Sequence, residues 1–65
     1  MKEAIKTMNI KVTLTNGKVQ IFEQYDNGRV YVKDSSGYWD NNEFDAALAK
    51  MRESGAEVLM SPTEF

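Results

Sequence analysis

The chain has 65 residues, 42% of them hydrophobic and 28% charged, and a net charge of −2. It contains neither cysteine nor histidine, which excludes disulfides and thiolate metal sites and removes the usual general base and the commonest metal ligand near neutral pH. No apolar run is long enough to span a membrane, and the opening MKEAIKTMN, with Glu3 and no apolar stretch, is not a secretory signal. One small cytoplasmic domain over residues 1–65, with a modest core, is expected.

At the start, a turn of helix over Lys2 to Thr7 is the most the residues support. From Met8 to Thr15 the chain alternates. Met8, Ile10, Val12 and Leu14 fall on one side and Asn9, Lys11, Thr13 and Thr15 on the other, the period of a half-buried strand. Asn16-Gly17 then reads as a two-residue hairpin loop, because both residue types accept the positive φ of a type I′ turn. That loop pairs Leu14 with Val19 and Val12 with Ile21. Asn27-Gly28 reads the same way, pairing Tyr25 with Val30, and the third strand runs from Arg29 to Lys33. Asp34 to Gly37 is a turn.

Trp39 to Gly55 carries a complete helix signature. Asp40 stands at the N-cap with Glu43 three residues on, and Trp39 and Phe44 occupy the two positions of a hydrophobic staple. Phe44, Ala47, Leu48 and Met51 form one apolar stripe. Lys50 and Arg52 lie near the end, as the helix dipole prefers, and Gly55 suits the left-handed C′ position. Ala56 to Met60 reads as a short strand ended by Pro62, with 61–65 as a loose tail. The fold class is therefore α+β: a three-stranded antiparallel β-meander packed on one α-helix, followed by a short fourth strand (β-β-β-α-β).

This register assigns each residue a face. The side toward the helix holds Met8, Ile10, Val12, Leu14, Val19, Ile21, Tyr25, Val30 and Val32, with Glu23 as the one misfit, unless the register slips or bulges there. The opposite side holds Lys11, Lys18, Arg29 and Lys33 with Phe22 and Tyr31, four positive charges and two aromatics with no acid among them. The charge is also uneven along the chain. Residues 1–33 sum to +3 and residues 34–65 to −5.

Catalytic chemistry is not expected. Asp40-Asn41-Asn42-Glu43 lacks the alternating ligands of a calcium loop, and cap chemistry accounts for it. Ser35 has no histidine to activate it. Asp34 and Asp40 form at most a carboxylate pair without a pocket, and so small a chain leaves little room for a concave site. No metal, cofactor or small-molecule substrate is implied. The reading is a non-enzymatic binding module, a regulator, inhibitor or accessory subunit. It would act on a protein partner, or as a homodimer, through Phe22, Tyr31, Lys11, Lys33, Arg29 and Lys18. The alternative use of the same face is single-stranded nucleic acid, with aromatics stacking on bases and cations on phosphates. A merely solvated face is the plain competing account.

Overall fold

The computed structural model describes residues 3–65. It contains β1 (Lys6–Thr13), β2 (Val19–Tyr25), β3 (Arg29–Val32), β4 (Tyr38–Asp40), α1 (Asn41–Glu53) and β5 (Glu57–Ser61). The strands form one antiparallel-paired sheet in the order β4-β3-β2-β1-β5. The α+β meander packed on a helix is thus the architecture, with one strand more than expected. Trp39 and Asp40, read as part of the helix signature, form with Tyr38 this added strand, which pairs with β3 through Val30↔Trp39 and Tyr31↔Tyr38. α1 then carries the chain from one edge of the sheet to the other, where β5 pairs with β1. Lys6 and Thr7 open β1 rather than a helical turn; Lys2 lies outside the described residues.

The main departure from the sequence reading is in the hairpins. Both loops have three residues, not two. Leu14 N–H donates to Lys18 O at 2.8 Å and Gly17 N–H to Leu14 O at 2.9 Å, so a turn over Leu14–Gly17 is followed by a positive-φ glycine, Gly17 at +88°. This is the three-residue hairpin loop in which only the last position needs the left-handed region. Asn16 supplies its side chain instead, accepting from Lys18 N–H at 3.0 Å. The second loop repeats the device, with Gly28 at φ +82° and Asn27 Oδ1 accepting from Arg29 N–H at 3.1 Å.

Each loop moves the register by one residue, and a one-residue slip sends every side chain to the other face. β1 and β2 pair as Ile10↔Phe22 and Val12↔Gln20, and β2 and β3 as Phe22↔Val32 and Gln24↔Val30. Relative to the sequence reading, β2 is turned over. Phe22 faces the helix, whereas Val19, Ile21, Glu23 and Tyr25 face away. The second slip cancels the first, so Val30 and Val32 keep the helix side.

The core consists of Ile10, Val12, Phe22, Val30, Phe44 and Leu48, each at most 4% exposed. Met8, Leu14, Val32, Met51, Ala56 and Val58 pack around it. Phe22 and Phe44 meet with ring centroids 5.0 Å apart, so the aromatic partner of Phe44 is Phe22. Trp39 is 37% exposed in β4. Asp40 is the N-cap residue but makes no side-chain cap bond; it is the cross-strand partner of Arg29 on the face away from the helix. The helix ends as expected, with Gly55 N–H donating to Arg52 O and Ala56 N–H to Met51 O, both at 3.0 Å.

Candidate functional site

The face away from the helix is the candidate site, and the slipped register decides what it carries. Tyr25 on β2, Tyr31 on β3 and Tyr38 on β4 form a row across three strands. Tyr25 and Tyr31 lie 5.2 Å apart, edge to face, and Tyr31 and Tyr38 lie 5.6 Å apart, tilted. Both spacings fall in the range that favours aromatic pairs. Arg29 closes the row, with its guanidinium carbon 4.4 Å from the Tyr38 ring centroid. The Arg29 guanidinium, near the Tyr31 hydroxyl, holds the phenol below its ordinary value.

Beside this row is an open cleft of about 610 Å³, lined by Glu23, Tyr25, Tyr31, Asp34, Ser35 and Ser36 among others. Its volume is that of a small-ligand site, larger than expected for so short a chain. The turn after β3 forms one wall. Ser35 N–H donates to Val32 O at 3.1 Å, and Asp34 takes φ +64°, a conformation usually left to glycine at this point of a turn. Asp34 therefore carries backbone strain that a glycine would avoid, while its carboxylate borders the cleft.

Charge on this face is mixed. Lys6 Nζ bonds Glu23 Oε2 and Glu64 Oε1, each at 2.9 Å. The two carboxylates raise the Lys6 ammonium above its ordinary value, Glu23 contributing most, and Lys6 in turn lowers Glu64. The residues after β5 turn back to make this contact. Thr63 N–H donates to Ser61 Oγ at 3.1 Å, and Asn9 beneath is buried with its amide donating to Ser61 O at 3.4 Å. Ser61 is thus the last residue of β5, and Glu64 is tied to β1, where a loose tail was expected.

The sequence-derived site residues divide between the two faces. Tyr31, Arg29 and Lys11 lie on the outer face. Lys33 continues β3 beside Ile21, with its N–H donating to Ile21 O at 2.9 Å, and shares that face. Phe22 does not; it is 2% exposed and belongs to the core. Lys18 stands opposite Leu14 at the hairpin loop and falls with Gln20 and Phe22 on the helix side. The same slip moves both residues. The acid-free face that the two-residue loops predicted is also corrected, since Glu23, Asp40, Glu57 and Glu64 all reach it.

Tyr25 and Tyr38 were missed as site residues. The signal that could have found Tyr25 was Glu23, the one misfit of the predicted core, because turning β2 over places Glu23 and Tyr25 outside together; Tyr38 gave no such signal, since its three-residue strand shows no period. Among the described residues no group of three or more acidic side chains is arranged to hold a metal ion, and no helix is long and apolar enough to cross a membrane. Comparison with protein-family models, with curated proteins and with solved structures finds no match to this chain.

Proposed function

We propose that the protein is a non-enzymatic, cytoplasmic binding module that recognises a protein partner through the outer face of its sheet. The observation that carries this reading is the row Tyr25–Tyr31–Tyr38 with Arg29 stacked at its end. Tyrosine and arginine are among the residue types that most often anchor interfaces; tyrosine offers large apolar area with a polar tip at little entropic cost, and arginine a planar charged group that stacks on aromatic rings. The cleft beside the row, bordered by the Asp34 carboxylate and by tyrosine rings, suits a basic side chain of the partner.

The charge balance favours a protein over a single-stranded nucleic acid. A phosphate-tracking face needs uncompensated cations, whereas Lys6 is held between two carboxylates and Arg29 lies opposite Asp40.

The test is capture from native lysate by immobilised protein, with and without nuclease, compared with the double variant Tyr31→Ser, Tyr38→Ser. A captured protein that survives nuclease and disappears with the folded double variant supports the reading. Capture that the double variant retains removes this face as the site, and capture abolished by nuclease alone transfers the reading to nucleic acid.

A further inference from the structure

The two edges of the sheet differ. At one edge is β4, three residues long and followed directly by α1. At the other is β5, five residues, Glu57-Val58-Leu59-Met60-Ser61, with Leu59 57% and Met60 51% exposed. Nothing among the described residues pairs beyond it. Native sheets usually blunt such an edge with charged side chains, proline, an inward charge or a bulge; β5 has a charge only at its first residue, Glu57, and proline only after its last, Pro62, so Val58 to Met60 is left without such protection.

Which backbone groups of β5 are free follows from the hairpin. Leu14 N–H donates to Lys18 O, so the even-numbered residues of β1 direct their backbone groups toward β2 and the odd-numbered ones toward β5. Lys33 N–H donating to Ile21 O continues the same parity on the far side of β2. β5 is paired with β1 as Thr13↔Glu57, Lys11↔Leu59 and Asn9↔Ser61. Glu57, Leu59 and Ser61 therefore bond inward. Val58 and Met60 point outward, each with one N–H and one C=O unsatisfied by the sheet.

We infer that β5 pairs antiparallel with β5 of a second copy of this chain, about a two-fold axis at Leu59, joining the two sheets into one. The register is self-complementary in three respects. Val58 lies opposite Met60 of the copy, and Met60 opposite its Val58, so every outward N–H meets a C=O in a hydrogen-bonded pair. On the helix side these pairs set apolar against apolar, and on the outer side Leu59 meets Leu59 at the closer, non-hydrogen-bonded position. Glu57 lies opposite Ser61, so no like charges face each other. Pro62, which has no N–H, and Ala56, whose N–H is used by the helix C-terminus, bound the ladder at both ends. The contact is isologous and closes as a dimer. Being only one strand wide, it belongs with weak, concentration-dependent interfaces.

The test is sedimentation of the full chain from micromolar to millimolar concentration. The mass should rise with concentration from 7.4 kDa toward twice that value. Met60→Pro removes an outward N–H and leaves the inward ladder to β1 intact, so it should weaken association by about tenfold or more with an unchanged circular dichroism spectrum. Leu59→Cys gives this cysteine-free chain a single thiol on the two-fold axis, and mild oxidation should link it to a dimer far faster than Val19→Cys in β2. Tyr31→Ser with Tyr38→Ser should leave association unchanged, which separates this inference from the function proposed above. A species of 7.4 kDa at every concentration overturns it, including one that remains monomeric while binding an extended peptide along β5. So does a dimer in which Leu59→Cys cross-links no faster than Val19→Cys.

Discussion

On the helix side of the sheet, Ile10, Val12, Phe22 and Val30 are buried beneath Phe44 and Leu48; on the other side, Tyr25, Tyr31 and Tyr38 lie in a row, the first two partly buried and Tyr38 exposed. β2 contributes to both sides, and its apolar residues do not themselves decide which goes where. Val19, Ile21 and Tyr25 form one alternating set, and Phe22 is the only apolar member of the other. The larger apolar set faces outward. What selects Phe22 for the core is the pair of three-residue loops, which fix the pairing of β2 with both neighbours. Loop geometry thus outranks the count of apolar residues in a single strand.

The largest expected effect is on the residue that the slip places inside. Phe22→Ala should cost about 3–5 kcal/mol, as truncation of a buried aromatic does, and is expected to unfold much of so small a domain in a urea titration. Leu48→Ala, at the centre of the helix stripe, should cost about 2–5 kcal/mol. Ile21→Ala, one residue away on the outer face, should cost less, about 1–2 kcal/mol, since its side chain is partly exposed. If Ile21→Ala proved the costlier of the two β2 changes, the two faces would have to be exchanged.

Gly28→Ala comes next. An alanine at φ +82° bears a left-handed conformation that costs about 1–2 kcal/mol; the thermal midpoint should fall accordingly, and Gly28→Asn should fall less. Deleting Thr15 sharpens the comparison in the opposite direction. It leaves Asn16-Gly17 as a two-residue loop closing on the same pair, Leu14 and Lys18, so the register survives and the cost should be below about 1 kcal/mol. Were Thr15 a strand residue paired with Lys18, the deletion would turn β2 over, and the domain would unfold.

The smallest effect is electrostatic. Glu64 is lowered by Lys6 from its ordinary 4.5, so its contribution is present above that pH and is lost as pH falls through the folded value. Lys6 is raised from its ordinary 10.5, so its contribution is present below that pH and is lost as pH rises through the folded value. The stability difference between the parent and Lys6→Met should therefore be level from about pH 5 to 10 and shrink toward both ends. Because these groups are solvent-accessible, it should also shrink with added salt.

Much of the fold was legible in the sequence. The body and end of the helix were written by the Phe44, Ala47, Leu48, Met51 stripe and by Gly55, and β1 by its alternation, whereas the side-chain cap bond expected of Asp40 at the helix start is not made. Asn16-Gly17 and Asn27-Gly28 marked both hairpins but not their loop length, because Asn-Gly serves a two-residue loop through the backbone of both residues and a three-residue loop through the asparagine side chain. β4 was hidden because three residues are too few to show a period. The outer face was half legible: Tyr31, Arg29, Lys11 and Lys33 do not depend on β2, whereas Phe22, Glu23 and Tyr25 do. Glu64 could not be placed from sequence, since its partner Lys6 is 58 residues away.

The register of β1 against β2 carries the whole account, and it is read most directly from contacts between Hα protons in a nuclear Overhauser spectrum. Such contacts are strong between residues facing each other at non-hydrogen-bonded positions, where the Cα atoms approach to about 4.5 Å. The structure requires them between Lys11 and Ile21 and between Asn9 and Glu23. Strong Hα contacts from Val12 to Ile21 and from Ile10 to Glu23 in their place would mean two-residue loops, Phe22 on the outer face and Glu23 beneath the helix, and would contradict it.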